Sequence, residues 1–205
     1  MAEIRQPNQA PESLSELFSS RVRAAVLALM LPRPHLAFSL TDLSRRLDIP
    51  ISSAQHECYK LARLGLLRDE RVGSARRYQP DPAWPLFVPL TDLTVRALET
   101  GTALAGAVEG VAGISGCWIS GPLDQCQEPL YLVVTGELAL EALDGVFARA
   151  RIVMEPHGAG RLELAYFREG DWAARLAGDN PFALSLLDQP RLAIIDPANG
   201  PADTS

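Results

Sequence analysis

The chain has 205 residues, 47% of them hydrophobic and 21% charged, which is the composition of an ordinary globular protein long enough for one large domain or two small ones. No uncharged apolar run reaches about 18 residues, so a membrane span is excluded from the expectations. The net charge of −6 is unevenly spread: residues 1–88 carry 12 Lys and Arg against 9 Asp and Glu, a net of +3, and residues 89–205 carry 7 against 16, a net of −9.

Residues 1–12 are polar, include Pro7 and Pro11, and predict a flexible arm. A helix is expected from a cap at Ser13 or Ser15 to about Leu31. Leu17, Val22, Val26, Leu29 and Met30 recur at helical spacing, and Pro32 and Pro34 stop it. An extended piece, Leu36-Ala37-Phe38-Ser39, leads to a second helix capped by Ser39 or Thr41 and buried through Leu40, Leu43 and Leu47. Asp48-Ile49-Pro50-Ile51-Ser52 then reads as a tight turn ending in a cap, with a third helix from Ser53 to Leu64. On that helix Ala54, Cys58 and Leu61 share one side, while Ser52, His56, Tyr59 and Arg63 share the other, flanked by Ser53 and Lys60. Gly65 ends it. Two strands follow, one from Leu66-Leu67 and one through Arg76-Arg77-Tyr78-Gln79, joined by Val72-Gly73-Ser74-Ala75 as a hairpin turn. The hairpin holds Arg68, Arg71, Arg76 and Arg77.

A polar-faced helix behind a tight turn, followed by an arginine-rich hairpin, is the order of a winged helix-turn-helix over residues 13–88. Such a helix presents donors and acceptors to base edges in a major groove. Ser52, Ser53, Gln55, His56 and Tyr59 are the candidates for reading bases or flanking phosphates, and Lys60, Arg63, Arg71, Arg76 and Arg77 for phosphate and minor-groove contacts. The net positive charge falls in the same part of the chain, where phosphates would be met. Taken singly, an amphipathic helix or an arginine hairpin is more often a solvated surface; their succession carries the expectation. Cys58 reads as core packing rather than a redox sensor.

Pro80, Pro82, Pro85 and Pro89, with Trp84 and Phe87, predict a packed connector. A long connecting helix is expected from Leu90 to about Val111, within a segment 89–112 that either mediates dimerisation or packs on its own C-terminal domain. Gly101, Gly106 and several alanines allow close approach. From residue 113 to 197 strand and helix signals alternate: strands at 116–120 and 130–134, a helix at 138–150, a strand at 161–167, helices at 171–176 and 182–187, and a strand at 192–195. That is a small α/β domain, followed by a tail at 198–205. His157-Gly158-Ala159-Gly160 reads as a hairpin turn rather than a nucleotide loop. Trp118, Tyr131 and His157 are candidates to line a small-molecule pocket, with core packing as the commoner use of such aromatics.

Across roughly residues 14–196 the chain resembles bacterial and archaeal regulators that join an ArsR-like or MarR-like winged helix to a minimal nucleotidyltransferase domain. The resemblance rests on the run from Leu17 to Leu27, on Ser52-Ser53-Ala54-Gln55-His56-Glu57, and on Leu64-Gly65-Leu66-Leu67. In the second half it rests on Trp118-Ile119-Ser120-Gly121, on Leu132-Val133-Val134-Thr135-Gly136, and on Gly178-Asp179-Asn180-Pro181-Phe182 with Gln189-Pro190-Arg191. Active members of that superfamily carry a Gly-Ser pair and an Asp-x-Asp whose carboxylates hold Mg²⁺. Here the pair falls on Ser120-Gly121 and the acids fall on Pro129 and Tyr131, with Glu163 matching a third acid and Asp124 and Glu128 nearby. The resemblance therefore implies an α+β protein with a winged helix-turn-helix, a long connecting helix and a catalytically inactive nucleotidyltransferase-like domain.

The expected activity is transcriptional regulation by a homodimer bound to palindromic double-stranded DNA, the second domain serving assembly or sensing of an unknown small-molecule ligand. A nucleotidyltransferase, of toxin–antitoxin type or otherwise, with a partner-binding winged domain is the alternative. No cofactor or metal is implied: Cys58, Cys117 and Cys126 are too few and scattered for a disulfide framework or zinc site. The first twenty residues, with Glu3, Arg5, Glu12 and Glu16, lack a leader's apolar stretch, so a cytoplasmic setting is expected.

Overall fold

The computed structural model describes residues 10–73, 75–123, 129–157 and 159–196. Residues 1–9 of the terminal arm, the tail, Ser74 of the hairpin turn, Asp124, Cys126, Glu128 and Gly158 lie outside the described residues. The fold is mixed α and β and divides into two compact units between Gly106 and Ala107. None of its described helices is long and apolar enough to cross a membrane.

The first unit begins with two helices where the sequence suggested one, α1 (Glu12–Leu17) and α2 (Arg21–Met30). The break falls at Ser19, whose φ of 50° is left-handed. Ser20 then caps α2 by accepting the Arg23 N–H at 3.2 Å. Adjacent serines favour such local side-chain bonding over an unbroken helix. After Pro32 and Pro34 come β1 (Phe38–Ser39) and α3 (Leu40–Leu47). Ser39 and Asp42 close a reciprocal capping box at the start of α3. Hydrogen bonds from the Ser39 hydroxyl and backbone hold the Asp42 carboxyl below its usual range.

Asp48, left-handed at φ 51°, terminates α3, and the Ser44 hydroxyl donates to the Ile49 carbonyl at 2.6 Å across the turn. Pro50 precedes α4 (Ile51–Arg63), which starts two residues before the expected Ser53. Proline suits this boundary because it has no N–H to leave unbonded and its φ is already set. Gly65 reverses the chain at φ +84°, where a Cβ would approach the Trp84 Cδ1 to 3.3 Å. The hairpin β2 (Leu67–Val72) and β3 (Ala75–Pro80) follows, and the three strands form an antiparallel sheet in the order β1-β3-β2. Beneath it Val26, Met30, Leu43, Cys58, Leu66, Tyr78 and Phe87 join one buried cluster, with Trp84 packed against it. The proline-rich connector is thus part of this core, as expected.

The expected single helix over Leu90–Val111 is instead α5 (Phe87–Ala97) and α6 (Thr100–Val108). Pro89 is accommodated in the first turn of α5, which therefore starts earlier. Leu98 adopts an extended ψ of 157° and breaks the helix there, and α6 restarts two residues later at Thr100. Gly106 lies so close to Pro32 and Arg33 that a Cβ would meet both at 3.0 Å.

The second unit is built on a four-stranded sheet in the order β6-β5-β4-β7. β4 (Ile114–Ser120) pairs antiparallel with β5 (Leu130–Gly136) on one side and with β7 (Arg191–Ile195) on the other. β5 connects through α7 (Leu140–Met154) to β6 (Leu162–Phe167), which lies parallel to it. The glycine-containing segment after α7 therefore ends a crossover helix in two short 3₁₀ turns and does not turn a hairpin. Parallel neighbours need a long crossover, so no tight turn can join them. α8 (Glu169–Ala177) and α9 (Pro181–Asp188) cover one face of the sheet, while α7 turns buried Leu143, Val146, Ala150 and Val153 inward on the other.

Candidate nucleic-acid interface

Spacing alone sorts α4 into two sides. Ala54, Cys58 and Leu61 are buried at 0%, 0% and 3% exposure and fix the helix on the core. Burial, and secondarily the Glu57 carboxylate, pushes the Cys58 thiol up to about 12, so it stays protonated and inert near neutrality. This agrees with its reading as core. Ser52, His56, Tyr59 and Arg63 recur every three or four residues along the opposite side, with Gln55 next to His56, and all five are exposed. Because the helix begins at Ile51 and has no side-chain cap, the Ser52 hydroxyl is free of capping duty.

The sequence reading missed Glu57. Its carboxylate is only 8% exposed, accepts from Arg23 Nε at 2.9 Å and lies 3.5 Å from Lys60 Nζ. Arg23 stands on α2, so the pair ties α4 to α2 and sets its rotation. A helical pattern can flag position 57 as neighbouring the buried stripe. It cannot supply the arginine 34 residues earlier.

The hairpin sorts its arginines in the same way. Side chains alternate along a strand, and directly paired residues share a face. Arg71 pairs with Arg76 and Asp69 with Tyr78, so these four share one face. Glu70 pairs with Arg77 on the other. Tyr78 is 2% exposed and belongs to the core, so its face is the one turned toward α4. Arg76, two residues closer to the turn, clears the core and stands beside the exposed side of the helix.

Ser52, Gln55, His56, Tyr59, Arg76 and Tyr78 together line one open concavity of about 310 Å³. Five of these were singled out from sequence; Tyr78 was not. All six carry a hydrogen-bond donor, and none is an acid. The Tyr78 hydroxyl and then the Asp69 carboxylate, which lies 3.1 Å from Arg76 Nε, raise the Arg76 pKa further above its ordinary value. Arg76 is a permanent, anchored cation.

The other candidates lie outside that concavity. Ser53 is half-buried at its flank. Lys60 is held toward Glu57. Arg63 places its guanidinium 6.0 Å from the centre of the Tyr59 ring, a stacking arrangement that stiffens both exposed side chains. Arg71 is exposed beside Arg76, and Arg77 is exposed on the far face of the hairpin. Arg68 is engaged by Asp81, whose carboxyl it holds below the usual range.

In the second unit Trp118 is 4% exposed and packs with Val133, Ala165, Phe167 and Leu186, with Tyr131 and Trp172 against them. His157 is half-buried after α7 and is not among these residues. Adjacent strands bring Trp118 and Tyr131 into the sheet's packed face, the commoner of the two uses weighed for them. The Ser120 hydroxyl is buried and donates to the Leu186 carbonyl at 2.9 Å. At Gly121, φ +122°, a Cβ would meet Leu130 Cδ2 at 2.9 Å and the Pro129 carbonyl at 3.0 Å. Tyr131 lies in register with Glu163 on β6, and burial, then the Glu163 carboxylate beside it, raises its pKa.

A second concavity of about 380 Å³ is lined by Asp171, Ala174, Arg175, Gly178 and Asn180 on α8 and the start of α9. Among the described residues no three His, Cys, Asp or Glu converge as metal ligands would. No family model, curated protein or solved structure matches the chain.

Proposed function

We propose that the first unit is a winged helix-turn-helix that binds double-stranded DNA and that the chain is a transcriptional regulator. The observation that carries this reading is the concavity in which donors of α4 and Arg76 of the hairpin meet without an acid among them. In this reading α4 enters the major groove, Gln55, His56 and Tyr59 face base edges, and Ser52, Arg63 and Arg71 meet flanking phosphates. The order helix, strand, helix, tight turn, helix, hairpin supports it. So does the concentration of basic charge in residues 1–88, because phosphate neutralisation supplies much of the affinity for DNA.

The second unit is then a nucleotidyltransferase-like domain serving assembly or ligand sensing rather than catalysis. Two antiparallel strands followed by a crossover helix and a parallel strand support that comparison. Pro129 and Tyr131 stand where the metal-binding acids would be, and Tyr131 lies in register beside the remaining acid, Glu163. A homodimer would bind a palindrome with half-sites roughly 10 base pairs apart.

Selection of sheared genomic DNA by the purified full chain, followed by sequencing of the retained fragments, tests the reading. An enriched inverted repeat is expected. Absence of retained DNA at low salt would overturn it.

A further inference from the structure

Resting on the proposed DNA-binding reading, we infer that Asp69 is a positioning residue for DNA, an acid whose removal weakens binding because it holds Arg76 over the recognition side of α4. The geometry makes this an unusual expectation. A carboxylate beside a phosphate-binding surface repels DNA, and its neutralisation ordinarily tightens binding. Asp69 stands on β2, on the hairpin face that looks toward α4, and its Oδ2 lies 3.1 Å from Arg76 Nε.

Arg76 is 52% exposed and springs from β3 close to the turn, so without a partner its long side chain would sample many rotamers. Two groups limit that freedom. The Asp69 carboxylate faces the Nε edge of the guanidinium, and Tyr78, whose ring is fixed in the core, offers its hydroxyl on the same strand face. A guanidinium met by a carboxylate at its Nε edge can still present terminal N–H groups to another acceptor, in the planar fork that suits a phosphate or a guanine edge. Arg76 lines the concavity together with Ser52, Gln55, His56 and Tyr59. The hairpin also holds a second acid, Glu70, which pairs with Arg77 on the opposite face and has no part in this arrangement. The two acids are one residue apart and should behave oppositely.

The test is a set of titrations of a labelled mixed-sequence duplex with the full chain and with Asp69→Asn, Glu70→Gln, Arg76→Ala and Arg76→Ala/Asp69→Asn. Asp69→Asn is expected to weaken binding about fivefold, although it adds a unit of positive charge. Glu70→Gln should bind as the unaltered chain does or more tightly. Once Arg76 is absent, Asp69→Asn should no longer weaken binding, which separates positioning of Arg76 from any general damage to the hairpin. Equal or tighter binding by Asp69→Asn in the Arg76-containing chain overturns the inference and leaves the DNA-binding reading intact. The same weakening in the Arg76→Ala background also overturns it. Failure of the unaltered chain to bind the duplex at low salt overturns both.

Discussion

α4 and β5 are both central elements of their units, yet they divide their residues differently. α4 buries one stripe and turns Ser52, Gln55, His56 and Tyr59 outward. β5 is buried at six of its seven positions, with only Tyr131 intermediate. An element covered on one side has a surface left for recognition; a strand covered on both sides is committed to packing. Aromatic and polar residues on α4 are therefore candidates for binding, whereas the same residue types on β4 and β5 are explained by the core.

The largest effect expected from this contrast is on stability. Leu132→Ala, at a position with 0% exposure on β5, should cost about 3 kcal/mol in urea unfolding, through lost burial and the cavity left behind. His56→Ala or Gln55→Ala on the exposed side of α4 should change unfolding by less than about 0.5 kcal/mol. A large loss from either would mean that the outer side of α4 is also engaged in packing.

Next in size is Gly65→Ala. The φ of +84° and the Trp84 ring at 3.3 Å from a built Cβ both oppose a side chain where α4 hands over to the hairpin. A loss of about 2 kcal/mol is expected by thermal denaturation.

The two faces of the hairpin sharpen the comparison further. Arg76→Ala should weaken duplex binding roughly tenfold and lower the slope of log K against log salt by about one unit. Arg77→Ala, on the face turned away from α4, should do measurably less in the same anisotropy titration. Equal losses would erase the distinction between the faces.

The smallest effect concerns the start of α3. Ser39→Ala removes half of the capping box and should cost about 1 kcal/mol. The Asp42 carboxyl is held below its unfolded value, so its contribution is complete above the ordinary carboxylate range. It is lost as pH falls through the lowered folded value. The difference in urea midpoint between the unaltered chain and Asp42→Asn should therefore shrink on acidification below about pH 4; a gap that grew would contradict the assignment.

Where one local signal dominated, the sequence disclosed the element. Ser39 announced α3, Gly65 ended α4, and the short apolar runs placed β4, β5 and β6, while Asp42, the other half of the cap, came only with the structure. The reading failed where two weak local signals outweighed a continuous apolar pattern. Ser19-Ser20 split the first helix, and Leu98-Glu99 split the connecting one. Of the candidate site, the outer side of α4 was legible because helical spacing is regular. The separation of Arg76 from Arg77 needed the strand register, and Glu57, Asp69 and Tyr78 needed partners supplied by other elements. No spacing rule encodes those contacts.

The most direct test of the central claim compares two duplexes, the sequence enriched by selection and a scrambled version, against the unaltered chain and a Gln55→Ala/His56→Ala/Tyr59→Ala variant. All three substitutions are on exposed positions of α4. The account predicts that the unaltered chain prefers the enriched duplex by on the order of a hundredfold, and that the variant keeps weak, salt-sensitive binding to both while losing that preference. An undiminished preference in the variant would contradict the assignment of α4 as the reading element.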